Sequence, residues 1–75
     1  MNMGELMKIS ARNVLKGKVV KITPGAINNE IVLEIQGGNQ IVSIISKESC
    51  ESLGLKIGKE AYAVIKASNV IIATD

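Results

Sequence analysis

The sequence predicts an all-β domain, and three observations carry that prediction. Short runs of β-branched and aliphatic residues recur along the chain. Turn residues punctuate them at Thr23-Pro24-Gly25, Gly37-Gly38-Asn39 and Ser68-Asn69. The one stretch with helix chemistry, Ser46 to Leu53, is too short to form a layer of its own.

Lys16 to Ile22 is β-branched and basic, and it stops where proline and glycine adjoin. Asn28-Asn29 closes that loop. From Glu30 to Gln36 the pattern alternates. Ile31, Leu33 and Ile35 share one face; Glu30, Val32, Glu34 and Gln36 share the other. Gly37-Gly38-Asn39 tolerates positive φ and so predicts a hairpin, with Gln40 to Ser46 returning as the partner strand. Ser46 can cap a helix, Glu48 suits its positive N-terminus, and Gly54 ends it. That turn or two of helix should carry Cys50 and Leu53 inward. Glu60 to Ala67 reads as a fourth strand and Val70 to Ala73 as a fifth. Strand, hairpin, short helix and two further strands is the order of a five-stranded OB-like barrel.

Residues 1–6 read as an N-terminal extension, and 7–75 as one domain. A core built from 75 residues is marginal, and small domains add disulfides, a metal or further subunits. The single Cys50 excludes an intrachain disulfide, and no histidine is present to join it in a zinc site. Oligomerisation is what remains. The composition agrees, since 47% of residues are hydrophobic and only one is aromatic, so the apolar surface is aliphatic. Ile41 and Ile45 alternate with Val42 and Ile44, and Tyr62 and Val64 with Ala61, Ala63 and Ile65, so both faces of those strands are apolar. A barrel this small has one interior, and another subunit is the economical cover for the second face. An unpaired cysteine fits a reducing cytoplasm, where it serves as a small buried hydrophobe. The start "MNMGELMKIS" lacks a signal-peptide apolar region, and no apolar run reaches the roughly 18 residues of a membrane span.

The residue chemistry argues against an enzyme. There is no histidine to act as a general base, the carboxylates are scattered, and no serine has a base beside it in sequence. Gly37-Gly38 joins strand to strand rather than strand to helix, so it is no phosphate loop. A single-stranded nucleic-acid module is the alternative reading of an OB-like barrel. Such modules stack bases on aromatic side chains, each worth roughly 1–3 kcal/mol. Tyr62 alone cannot supply that platform. The lysines of "KGKVVK" read as a solvated face.

Recognition of a small anion fits better. A tetrahedral dianion calls for converging hydroxyl, amide and cationic donors. Three clusters at strand ends offer them: "SARN" at 10–13, "SKES" at 46–49 and "KAS" at 66–68. No free metal cation and no cofactor is expected.

These residues resemble a known family. "KISARNVLKGKVV", "VLEIQGGNQIVSIIS" and "LGLKIGKEAYAVIKASNVII" are similar to the molbindins, the small cytoplasmic Mop proteins of bacteria, from about Met7 to Ala73. The pairing of SARN-x-L-x-G-x-V near the start with a lysine, a small residue and a serine near the end is specific. The resemblance implies an OB-like barrel of the Mop type in a homohexamer, a trimer of dimers that exchange their first strands. It implies molybdate or tungstate bound at subunit interfaces for storage or buffering. Carried over by position, Ser10, Ala11 and Arg12 match the N-terminal ligand motif, Ser46 and Ser49 the hydroxyl donors at the helix entry, and Lys66 and Ala67 the C-terminal basic motif. On that resemblance Lys66 faces Ser10 and Arg12 from a second chain. Regulators of the family carry a further cation where this chain has Ser52.

Overall fold

The computed structural model describes residues 10–75. The expected extension at 1–6 therefore lies outside the described residues. The elements run β1 (Asn13–Pro24), β2 (Asn28–Ile35), β3 (Gln40–Ser46), α1 (Lys47–Ser52) and β4 (Glu60–Ile65), followed by a single 3₁₀ turn at Ala67–Asn69. All strand pairs are antiparallel, in the order β3-β2-β1-β4.

β1 is the central strand and pairs within its own chain on both sides. It meets β2 from Gly17↔Ile35 to Pro24↔Asn29, and β4 from Asn13↔Ile65 to Lys18↔Glu60. The two ladders overlap at Gly17 and Lys18. There the backbones approach closely: a Cβ on Gly17 would sit 2.8 Å from the Glu34 carbonyl oxygen. The β1–β2 register then slips between Val19 and Lys21, leaving Val20 as the extra residue of a bulge. Such an insertion bends a strand and increases its twist, and here it helps curl the sheet.

The β2–β3 hairpin follows its turn chemistry. Gly38 N–H bonds back to the Ile35 carbonyl at 3.1 Å, and Gly37 and Gly38 have φ of 91° and 87°. Side chains with a Cβ rarely adopt that region. The concave face collects Val19, Ile31, Leu33, Cys50 and Ala63 as the core. Cys50 is buried as expected. Val32, on the opposite face between Lys21 and Val42, is buried as well.

Two expectations differ from the structure. Leu53 does not turn inward; it is the C-cap of α1, remains 59% exposed and lines the rim of the apolar face. The fifth strand does not form within the chain, so the described residues contain four strands. Val70 is extended (φ −89°, ψ 124°), but Val70–Ala73 enters no ladder, and Ile71 and Ile72 are 90% and 83% exposed. The β propensity of "VIIA" is real, but a strand also needs an edge to pair with. The sheet is thus a curled half-barrel. Its open side is an apolar cavity of about 380 Å³, lined by Leu33, Ile41, Ile45, Leu55, Ala61 and Ala63 among others. Among the described residues no helix is long and apolar enough to cross a membrane.

Candidate functional site

The seven candidate residues fall into two groups. Ser10, Ala11 and Arg12 lead directly into β1, and Lys66 and Ala67 leave β4. The last rung of the β1–β4 ladder is Asn13↔Ile65. Arg12 and Lys66 flank that rung, one preceding Asn13 and the other following Ile65. Antiparallel pairing thereby sets two cations that lie far apart in sequence at one end of one ladder. Within the single chain, the β1–β4 register brings the backbone of Lys66 to the same ladder end as that of Arg12.

Local bonds hold this end. Asn13 Nδ2 donates to the Ile65 carbonyl at 3.3 Å. Beyond β4, Asn69 N–H donates to the Lys66 carbonyl at 2.8 Å and opens the 3₁₀ turn. Ser10, Arg12, Lys66 and Ala67 are exposed and Ala11 is half-buried. Among the described residues, the ion pair formed is Lys16 with Glu60, so Arg12 and Lys66 have no carboxylate partner.

The second group lies toward the opposite end of the sheet, beyond the β2–β3 ladder. Ser46 ends β3 opposite Asn28, near where Pro24 ends β1. Its hydroxyl caps α1 by accepting the Ser49 N–H at 3.0 Å, and it donates to Ser49 Oγ at 2.9 Å. The Ser49 hydroxyl hydrogen is then free to point outward, and the Ser46 bond polarises it. Ser46, Glu48, Ser49 and Ser52 line a shallow cavity that includes none of the first group. Ser52 offers a hydroxyl where regulators of the resembled family have a cation.

The electrostatics of the two groups are opposite. Beside the serines stand Glu48 and Glu51, both exposed. Lys47 keeps its charge but is turned toward β2, where its ammonium donates to the neutral Asn29 Oδ1 at 3.1 Å. The helix C-terminus is closed separately, by a Schellman motif. Leu55 N–H bonds to Cys50 O, Gly54 N–H to Glu51 O with Gly54 at φ 64°, and Lys59 Nζ donates to Leu53 O at 2.8 Å. The cavity lined by the serines has Glu48 and no cation in its lining, whereas the cationic group brings Arg12 and Lys66 with the hydroxyls of Ser10 and Ser68 beside them.

The lysines of β1 lie in a different setting. Lys18 is opposite Glu34 on β2 and Glu60 on β4, while Lys16 Nζ is 2.9 Å from Glu60 Oε2. That pairing raises the pKa of Lys16 and lowers that of Glu60, through the mutual hydrogen bond first and their charges second. The stripe is partly neutralised across its own sheet, which weakens it as a polyanion track. Among the described residues no three carboxylate or thiol groups converge to hold a metal ion. The sequence marked Asn13 as part of the first donor cluster but not its partner, which is visible only from the β1–β4 register, and carried no sign of the Lys47–Asn29 bond.

The curled sheet thus carries exposed cations at one end and capped hydroxyls at the other, donor types that suit a small anion. The TOBE domain model matches residues 9–72. Over 66 residues the chain is 61% identical to molybdenum-pterin-binding protein 1 of Clostridium pasteurianum, covering 88% of this chain and 97% of that one. The solved structure of apo MopII from the same organism superposes with a TM-score of 0.84 at 55% identity, covering 89% of this chain and all of that chain. The cytoplasmic molybdate-binding protein ModG, solved with molybdate bound, gives a TM-score of 0.86 at 51% identity, over 95% of this chain and 50% of that chain. The chain belongs to the molbindin (Mop) family of TOBE-domain proteins.

Proposed function

We propose that this protein binds molybdate or tungstate as the intact tetrahedral oxyanion, at interfaces between its own subunits, and that it stores or buffers the oxyanion in the cytoplasm. The observation that carries this reading is the division of the donors. Among the described residues, Arg12 and Lys66 have no carboxylate partner at one end of the sheet, and Ser46 and Ser49 stand beside Glu48 and Glu51 at the other. Joining the cationic end of one chain to the hydroxyl end of another supplies both halves of a dianion site. Arg12 offers a planar fork of donors, Lys66 a second charge, and Ser10, Ser46 and Ser49 hydroxyls. Ala11 and Ala67 contribute their backbone. Several charge-assisted bonds of about 1.5–3 kcal/mol each, less the costs of binding, reach micromolar affinity.

The assembly we propose is a homohexamer, a trimer of dimers. An open apolar half-barrel and the exposed Val70, Ile71 and Ile72 support it. In that assembly Val70–Ala73 acts as the fifth strand. Exchange of β1 between paired subunits would keep the ladders described above, with a partner's β1 in place of the chain's own.

The named relatives are described as binding a molybdenum-pterin or molybdate. A pterin ring asks for a stacking surface, and this chain has one aromatic residue, Tyr62. The oxyanion is the part that the donors here fit. The same shortage of aromatics counts against single-stranded nucleic acid, and the absence of any histidine supports binding rather than catalysis.

Isothermal titration with molybdate, tungstate and sulfate tests the reading. Saturable uptake of molybdate or tungstate is expected, with no chemical conversion of the anion. Tight binding of single-stranded DNA at physiological salt, with no heat from any of the three anions, would overturn it.

A further inference from the structure

Resting on the oxyanion reading, we infer that Asn13 is a positioning residue that holds Arg12 and Lys66 side by side before any anion arrives. Two cations flanking one rung repel each other, and like charges across a ladder destabilise it. No carboxylate among the described residues relieves them. The Asn13–Ile65 rung next to them is also the last, so no further pair buttresses it. Asparagine is a poor strand former, and its place at this rung needs a reason. The bond from Asn13 Nδ2 to the Ile65 carbonyl supplies it, by adding a side-chain tie to the rung where the strands would otherwise splay. On the other side, the Asn69 N–H holds the Lys66 carbonyl. The backbone on either side of Lys66 is thus held, at Ile65 by Asn13 and at Lys66 by Asn69, so the ladder end is ordered before the anion arrives. The ordering is prepaid in the fold, which is how preorganisation raises affinity.

The test is a double-mutant cycle read by molybdate titration, using Asn13→Ala, Asn13→Leu, Arg12→Ala and the combinations. Asn13→Leu keeps the bulk, cannot donate and suits a strand, so it serves if the alanine variant folds poorly. Either change should weaken molybdate binding by about fivefold to tenfold, the worth of one neutral hydrogen bond. In the Arg12→Ala background the same change should cost almost nothing, because no pair of cations remains to be held. In anion-free protein, amide exchange at Lys66 and Ala67 should quicken while the β2–β3 ladder is unaffected. If wild-type protein takes up no molybdate, the oxyanion reading falls and this inference with it. If wild type binds and the variants bind equally well, or if the losses simply add to that of Arg12→Ala, Asn13 positions nothing and the oxyanion reading stands.

Discussion

Ser46 and Ser49 are joined twice: the Ser46 hydroxyl accepts the Ser49 N–H at 3.0 Å and donates to Ser49 Oγ at 2.9 Å. One side chain therefore both closes the helix and orients the neighbouring hydroxyl. The two roles separate by mutation. Ser46→Ala should lower stability by about 1 kcal/mol through the lost cap and should also weaken molybdate binding. Ser49→Ala keeps the cap, so it should weaken binding with little change in melting temperature. Chemical denaturation alongside titration checks this; equal stability losses in the two variants would refute the division.

On the proposed reading, Arg12 supplies one of the two positive charges and a planar fork of donors. Arg12→Ala should weaken molybdate binding by about 2 kcal/mol, roughly thirtyfold, as loss of charge-assisted bonds predicts. The oligomer should survive, because Arg12 is exposed and outside the apolar core. Titration on protein of measured mass reads both. A loss of less than twofold would mean that Arg12 only faces solvent.

The Lys16–Glu60 pair predicts a modest pH response. Glu60 has a lowered pKa, so its contribution is present above the ordinary carboxylate range and fades as pH falls through its folded value. Lys16 has a raised pKa, so its contribution is complete below the ordinary lysine value and fades as pH rises through the folded one. Between these limits the pair is intact. Both groups are exposed, so salt screens them and the effect on stability is small. In Glu60→Gln the Lys16 ammonium should titrate lower than in wild type by NMR. An unchanged Lys16 titration would mean that the pair does not persist in solution.

The exposed tail predicts assembly. Ile71 and Ile72 lie almost wholly in solvent in the single chain, and Val42 and Ile44 are 59% and 66% exposed on the convex face. Light scattering of wild type should give a hexamer, with a dimer as the minimum. Ile71→Lys with Ile72→Lys should shift the mass downward. A stable folded monomer of wild type at micromolar concentration would contradict the interface reading.

What was legible in the sequence was local. Gly37-Gly38 required positive φ and marked the hairpin; Ser46, Glu48 and Gly54 marked both ends of α1. The true start of β1 was hidden, because "NVL" becomes strand through its pairing with Val64 and Ile65, some fifty residues on. Val70–Ala73 has the right residues for a strand but no edge within the chain. The site shows the same limit. Each motif could be picked out by its donors, yet only the β1–β4 register set Arg12 beside Lys66, and only the side-chain geometry turned Lys47 toward Asn29.

The central claim, a site assembled from the cationic end of one chain and the hydroxyl end of another, is tested most directly by complementation. Arg12 belongs to the cationic group and Ser49 to the hydroxyl group, so the informative pair is Arg12→Ala with Ser49→Ala. The two proteins are unfolded together, reassembled, and titrated with molybdate. Random pairing should rebuild about a quarter of the sites with both residues intact, and these should bind with wild-type affinity. A mixture that binds no better than either variant alone, with subunit exchange confirmed by mass, would contradict a site shared between chains.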